Sequence, residues 1–124
     1  MALTEYSFSK LPIEETYVIR KGATFYQPFK LYLNGDPWDL SNATVKFIVK
    51  DDSGNEIVSQ ELASSDMDSA ATGEFTIRFE TSSIEAGEYN FEMWLVIASG
   101  DDIFPDGLSL CLLAGSFVVE ASLL

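Results

Sequence analysis

The sequence predicts an all-β sandwich of about seven antiparallel strands, and three observations lead there. Apolar residues recur at every second position rather than at the 3.6-residue period of a helix. Clusters of Gly, Asn, Asp, Ser and Pro separate these runs at roughly 8–15-residue intervals, as in two-layer β domains. The chain has 124 residues, 47% apolar with nine Phe, enough for one self-supporting core and too few for two.

Taken in order, the first 14 residues read as an N-terminal extension and 15–124 as the folded domain. The opening MALTEYSFSKLPIEE lacks a basic region followed by an apolar one, so it does not read as a secretory signal. The strands fall near 15–20, 24–33, 44–51, 55–61, 73–80, 88–98 and 108–121. In the second, Phe25, Gln27, Phe29, Leu31 and Leu33 alternate with Tyr26, Pro28, Lys30 and Tyr32; Pro28 cannot donate to a ladder and predicts a bulge or an edge. Asn34-Gly35-Asp36-Pro37 then supplies positive-φ residues and a fixed proline. Val45, Phe47 and Val49 form the inward set of the third strand, and Asp51–Asn55, with Gly54, turns into the fourth. Ser64–Thr72 is small and polar, a loop. Phe75, Ile77 and Phe79 alternate with Thr76, Arg78 and Glu80 in the fifth strand, and Thr81–Gly87 is long enough for one turn only.

The sixth strand places Tyr89, Phe91, Met93, Leu95 and Ile97 inward. Its tyrosine follows a turn at the start of a late strand, the tyrosine-corner position of immunoglobulin-like sandwiches, where the hydroxyl bonds backbone a few residues upstream. The last strand follows the loop containing Gly100 and Pro105-Asp106-Gly107, and Ala114-Gly115 predicts a bulge within it. The expected fold is therefore an immunoglobulin-like antiparallel β-sandwich.

Chemistry-bearing residues are sparse. The chain contains no histidine, which removes the usual general base and the commonest metal ligand, and it has no glycine-rich phosphate loop. No enzyme activity, cofactor or metal is expected. Asp36 and Asp39 flank Trp38 as a carboxylate pair, but Asp is common in turns for backbone reasons. Asp51, Ser53 and Asn55 alternate like a calcium loop, yet Glu56 stands where glycine is needed and Leu62 where a bidentate Glu is needed. Asp101, Asp102 and Asp106 form a second acidic loop. Asn42-Ala43-Thr44 matches the glycosylation pattern, which has no consequence without export. Twenty acidic against seven basic residues, a formal charge of −13, disfavour nucleic acid and anionic membrane as partners. No run approaches the ~20 apolar residues of a membrane helix. The single cysteine, Cys111, cannot form an intrachain disulfide and is expected to pack as a small hydrophobe.

The outward positions of the last two long strands carry apolar residues. Trp94 and Val96 occupy the face of their strand that should be wet, and Leu108–Leu113 is apolar on both faces. An interface is expected at Trp94, Val96, Leu113 and Leu124, with a second possibility that Tyr6, Phe8 and Leu11 fold back over it. The apolar ending at Leu124 is expected to dock.

Four segments resemble the immunoglobulin-like domains of bacteriophage virion proteins. Thr16-Tyr-Val-Ile-Arg-Lys-Gly22-Ala-Thr-Phe25 resembles their opening strand and "kGDtf" turn, with Ala23 in place of the usual acidic residue. Leu33-Asn-Gly-Asp-Pro-Trp-Asp-Leu-Ser-Asn-Ala-Thr-Val45 is similar to the "l.dG.p.DLtgatv" hairpin, Ile84–Tyr89 to the "l.aGeY" entry, and Leu113–Val119 to the closing "G.f.V" strand. The group includes the N-terminal module of baseplate upper proteins and related tail and head accessory proteins. The resemblance spans about residues 16–119. It implies a non-enzymatic module that joins or decorates virion components, made in the host cytoplasm, with other virion proteins and self-association as its contacts. It implies no catalytic or ligand-binding residue. The other function expected from the residues is a carbohydrate-binding sandwich presenting Trp38, Tyr26 and Tyr32 as a platform.

Overall fold

The computed structural model describes residues 11–124. Among the described residues, seven strands are seven residues long or more: β1 (Ile13–Arg20), β2 (Thr24–Lys30), β5 (Ala43–Lys50), β6 (Glu56–Leu62), β7 (Glu74–Glu80), β8 (Gly87–Ile97) and β9 (Leu108–Glu120). Between β2 and β5, β3 (Tyr32–Leu33) and β4 (Asp36–Pro37) pair as a small hairpin, turned by Asn34 and Gly35 at φ 54° and 88°. One layer is a five-stranded sheet in the order β1-β9-β8-β5-β6, and the other is the β2-β7 pair. The domain is an immunoglobulin-like β-sandwich. One pairing departs from the antiparallel expectation: β1 runs parallel to β9, from Ile13 opposite Leu113 to Arg20 opposite Glu120.

The core lies between the layers because every strand turns its alternate apolar residues inward. Val45, Phe47 and Val49 of β5, and Phe91, Met93 and Leu95 of β8, are buried under Phe25 and Phe29 of β2 and Phe75 and Ile77 of β7. Four rings join the layers: Phe25 and Phe79 from the two-stranded side each lie within 6 Å of both Phe47 and Phe117.

Local departures have physical causes. The strand expected over 24–33 breaks at Leu31, whose N–H bonds Gly73 O and whose carbonyl accepts from Trp38 N, so the backbone changes partner there. Pro28 sits opposite Thr76 in an unshifted register, an edge position rather than a bulge. The outer edge of β7 is plugged by a side chain: Gln60 of β6 donates to Arg78 O at 2.8 Å and accepts from Arg78 N at 3.1 Å. The bulge expected at Ala114-Gly115 lies earlier. Met93 pairs with Leu113 and Trp94 with Cys111, so Leu112 is the extra residue, and both Leu112 and Leu113 turn into the core.

Two hydroxyls tie loops down. Tyr89 Oη donates to Glu85 O at 2.5 Å, the upstream backbone bond expected of a tyrosine corner. Thr81, fully buried, accepts from Gly22 N at 2.9 Å and donates to Ala23 O at 2.7 Å, holding the β1–β2 turn against the end of β7. Thr81→Val keeps the shape but strands an N–H and a carbonyl, and should cost about 1–3 kcal/mol in urea unfolding. An unchanged midpoint would show that water replaces the hydroxyl.

Candidate surface on the five-stranded sheet

Parity along each strand decides which side chains leave the core. On the outer side of the five-stranded sheet, β8 presents Glu88, Asn90, Glu92, Trp94 and Val96; β5 presents Thr44, Lys46, Ile48 and Lys50; β9 presents Cys111, Ala114, Ser116 and Val118. The register sets Lys46 beside Trp94 and Ile48 beside Glu92, with Cys111 and Ala114 on the other side of β8. Trp94 and Val96 are half-buried, and the indole N–H of Trp94 donates to Glu92 Oε1 at 3.2 Å, which fixes the ring against the sheet.

Further along β8 from Trp94, past Glu92, lies an open hollow of about 460 Å³, lined by Glu14, Ile48, Lys50, Asn90, Phe91, Glu92, Ala114, Gly115 and Ser116. Small residues on β9 make it. Ala114 and Ser116 are small, and Gly115 between them adds no side chain; a Cβ there would stand 1.8 Å from Glu15 O on β1. The outward side chain between two lysines, Ile48, and the Ala114-Gly115-Ser116 run were both visible as sequence signals, but only the register of three strands brings them together.

Cys111 sits on this face, half-buried, with its thiol 3.4 Å from Leu113 O. Burial, and then the carboxylates of Glu92 and Glu14, push the thiol up to about 11. Very little thiolate then exists at pH 7.5, so native protein should alkylate roughly a hundredfold more slowly than urea-unfolded protein. Equal rates would contradict this environment.

Two of the four interface residues expected from sequence stand on this face, Trp94 and Val96. Leu113 does not: the bulge at Leu112 turns it inward, and it is fully buried. Leu124 is fully exposed beyond the end of β9, beside the β1–β2 turn rather than on the sheet face. Leu11 packs against the core, whereas Tyr6 and Phe8 lie outside the described residues.

The aromatic platform is not formed. Trp38 is 4% exposed, in the core with its ring centroid 6.3 Å from that of Phe104; Tyr26 is 62% exposed on the other layer, and Tyr32 is half-buried beneath Lys30. Of the acidic loops, Asp39 accepts from Ser41 N and Oγ, Asp51 from the N–H groups of Ser53 and Asn55, and Asp101 from Asn42 Nδ2 and the N–H groups of Ile103 and Phe104. These bonds shape turns, and those to Asp51 and Asp101 hold both carboxyls below the usual carboxylate range. Among the described residues, no group of three or more His, Cys, Asp or Glu is placed to hold a metal ion, and no helix is long and apolar enough to cross a membrane.

No protein-family model matches the sequence, and no curated protein matches it. Solved structures do. The N-terminal domain of phage TP901-1 ORF48 is similar over 86% of this chain and 85% of that one, with 11% identity and a TM-score of 0.53. A complex described as ICOS with ICOS-L and an anti ICOS-L VNAR domain aligns over 89% of this chain and 55% of the matched one, with 12% identity and a TM-score of 0.45, too low to add to the assignment. At 11% identity, the likeness to the phage domain is one of fold.

Proposed function

We propose that the protein is a non-enzymatic structural component of a phage particle, a baseplate, tail, neck or capsid accessory subunit that works by protein–protein contact. The observation that carries this reading is the outer face of the five-stranded sheet, where Trp94 and Val96 stand outward on β8 and a hollow lined by Ile48, Lys50 and Glu92 opens further along the same strands. An aromatic anchor beside a concavity, rimmed by charged residues, is the composition of an association surface. The ordered resemblance to phage virion modules supports the setting, and so does the shared fold with a phage protein's N-terminal domain. The virion is then its location and other virion proteins are its contacts, with neither nucleic acid nor membrane involved.

Particles purified from the phage that encodes this chain should contain it in constant ratio to the major structural proteins by quantitative mass spectrometry. Cross-links should map to Lys46 and Lys50, the outward lysines on either side of Ile48. Absence of the chain from intact particles would overturn the reading.

A further inference from the structure

We infer that the outer face of the five-stranded sheet pairs with a second copy of this chain, about a two-fold axis running along the strands between β5 and β8. The inference rests on the reading of that face as an association surface, and it is carried by how charge is arranged there.

The two central strands have opposite signs. The outward residues of β5 are Lys46, Ile48 and Lys50 at its charged end, and β8 carries Glu88 and Glu92. Lys46 is level with Trp94, Ile48 with Glu92 and Lys50 with Asn90. Rotation by half a turn about an axis along the strands, in the plane of contact, exchanges the two strands without changing their height. Each β5 then lies over the β8 of the other copy. Glu92 meets Ile48 of the second copy, with Lys46 and Lys50 on either side of it. Trp94 meets Lys46, which suits an ammonium over an indole face.

The same rotation sets β6 over β9. Ile57, exposed on β6 near the level of Lys50, comes over the β9 side of the hollow, where Ala114, Gly115 and Ser116 are small. Strands stay aligned between the copies, which is the ordinary geometry of stacked twisted sheets. The contact is isologous, each surface complementary to itself.

Opposite charges on its two central strands suit this face to self-pairing. At −13, most of the surface repels a second copy. Only seven basic residues exist, and two of them stand outward on β5, one on either side of the level of Glu92 on β8. Like-charge repulsion is therefore offset here by opposite charges within reach.

The test is a charge swap followed by sedimentation of the full chain at about 10 μM to 1 mM. The wild type should show a reversible dimer. K46E/K50E and E88K/E92K should each weaken it about a hundredfold, and their equimolar mixture should form a dimer within about tenfold of wild-type affinity. E88K/E92K is the discriminating variant, because it reduces net repulsion yet should still be monomeric. All four positions face outward, so circular dichroism should be unchanged. A wild type monomeric at the highest concentration, or a mixture that fails to pair, overturns the inference. A monomer found in particles with Trp94 against a different protein does the same while leaving the virion reading intact. A rescued dimer of a chain absent from particles does the reverse.

Discussion

Gly115→Ala is expected to detach β1 from the sheet and to lower stability by about 3–5 kcal/mol, the exceptional end of single substitutions. Gly115 has φ of 153°, where side chains are strained, and a Cβ on it would lie 1.8 Å from Glu15 O and 2.9 Å from Glu15 C. Those atoms are backbone and cannot swing aside. Either β1 moves away along its whole pairing with β9, from Ile13 to Arg20, or β9 distorts where it also pairs with Phe91 of β8. The first route disturbs less, because β1 is an edge strand held on one side and β9 is sandwiched between two. Amide exchange should therefore quicken over Ile13–Arg20 before it does in β5 or β8, and the urea midpoint should fall. Wild-type protection in β1 of the Ala variant would mean that the two strands approach less closely than described. Detachment of β1 would also expose Tyr17, whose hydroxyl is pushed up to about 12 by burial and by Glu15, so its titration in the variant should move down toward that of an ordinary tyrosine.

That glycine shows where a sequence stops being informative. Its neighbours Ala114 and Gly115 suggested a bulge, because glycine in a strand marks either a bulge or a close approach, and the choice depends on what lies across the sheet. The parallel partner β1 is one hundred residues away in sequence, Glu15 opposite Gly115, and no local pattern announces it. Alternation, by contrast, is a local property, and the seven long strands were legible from it to within a few residues at their ends. So was the Tyr89 hydroxyl bond, because its turn and strand are adjacent. The alternation fails where the sequence stops alternating. Leu108 to Leu113 is apolar at five of six positions, so nothing in it says that Leu112 is the extra residue or that Leu113 points inward. Trp38 misleads for a related reason: it follows a polar turn, and its burial is set by Leu31 O and Phe104, residues from other parts of the chain.

The association surface was half legible on the same grounds. Trp94 and Val96 stand out because they break the wet face of an otherwise regular strand. The hollow and the charge stripes do not, since each arises from laying β9, β8 and β5 side by side in one register. An ordinary lysine-isoleucine-lysine strand becomes informative only once Glu92 is known to lie between the two lysines on the next strand.

Phe47→Ala is expected to cost about 3–5 kcal/mol, as for truncation of a buried aromatic ring. Phe47 is fully buried at the middle of β5, stacked on Phe91 at 5.3 Å and on Phe25 at 5.7 Å, with Phe79 at 5.9 Å. Phe91 belongs to its own sheet, but Phe25 and Phe79 belong to the other layer, so its removal loosens the contact between layers. In many immunoglobulin-like domains a disulfide bridges the layers, worth about 2–5 kcal/mol when removed. With Cys111 alone and on the outer face, no such bridge exists here, and the ring cluster carries that function. Phe47→Leu separates two contributions. It keeps most of the volume and should cost under about 2 kcal/mol if filling space is what matters. A loss near that of the Ala variant would instead assign the stability to the ring–ring contacts themselves, each worth about 0.5–1.5 kcal/mol beyond burial. Urea midpoints of both variants, compared with Phe79→Ala at a half-buried position of the same cluster, decide between these. Should Phe47→Ala prove no more damaging than Phe79→Ala, the layers are held together somewhere other than this cluster.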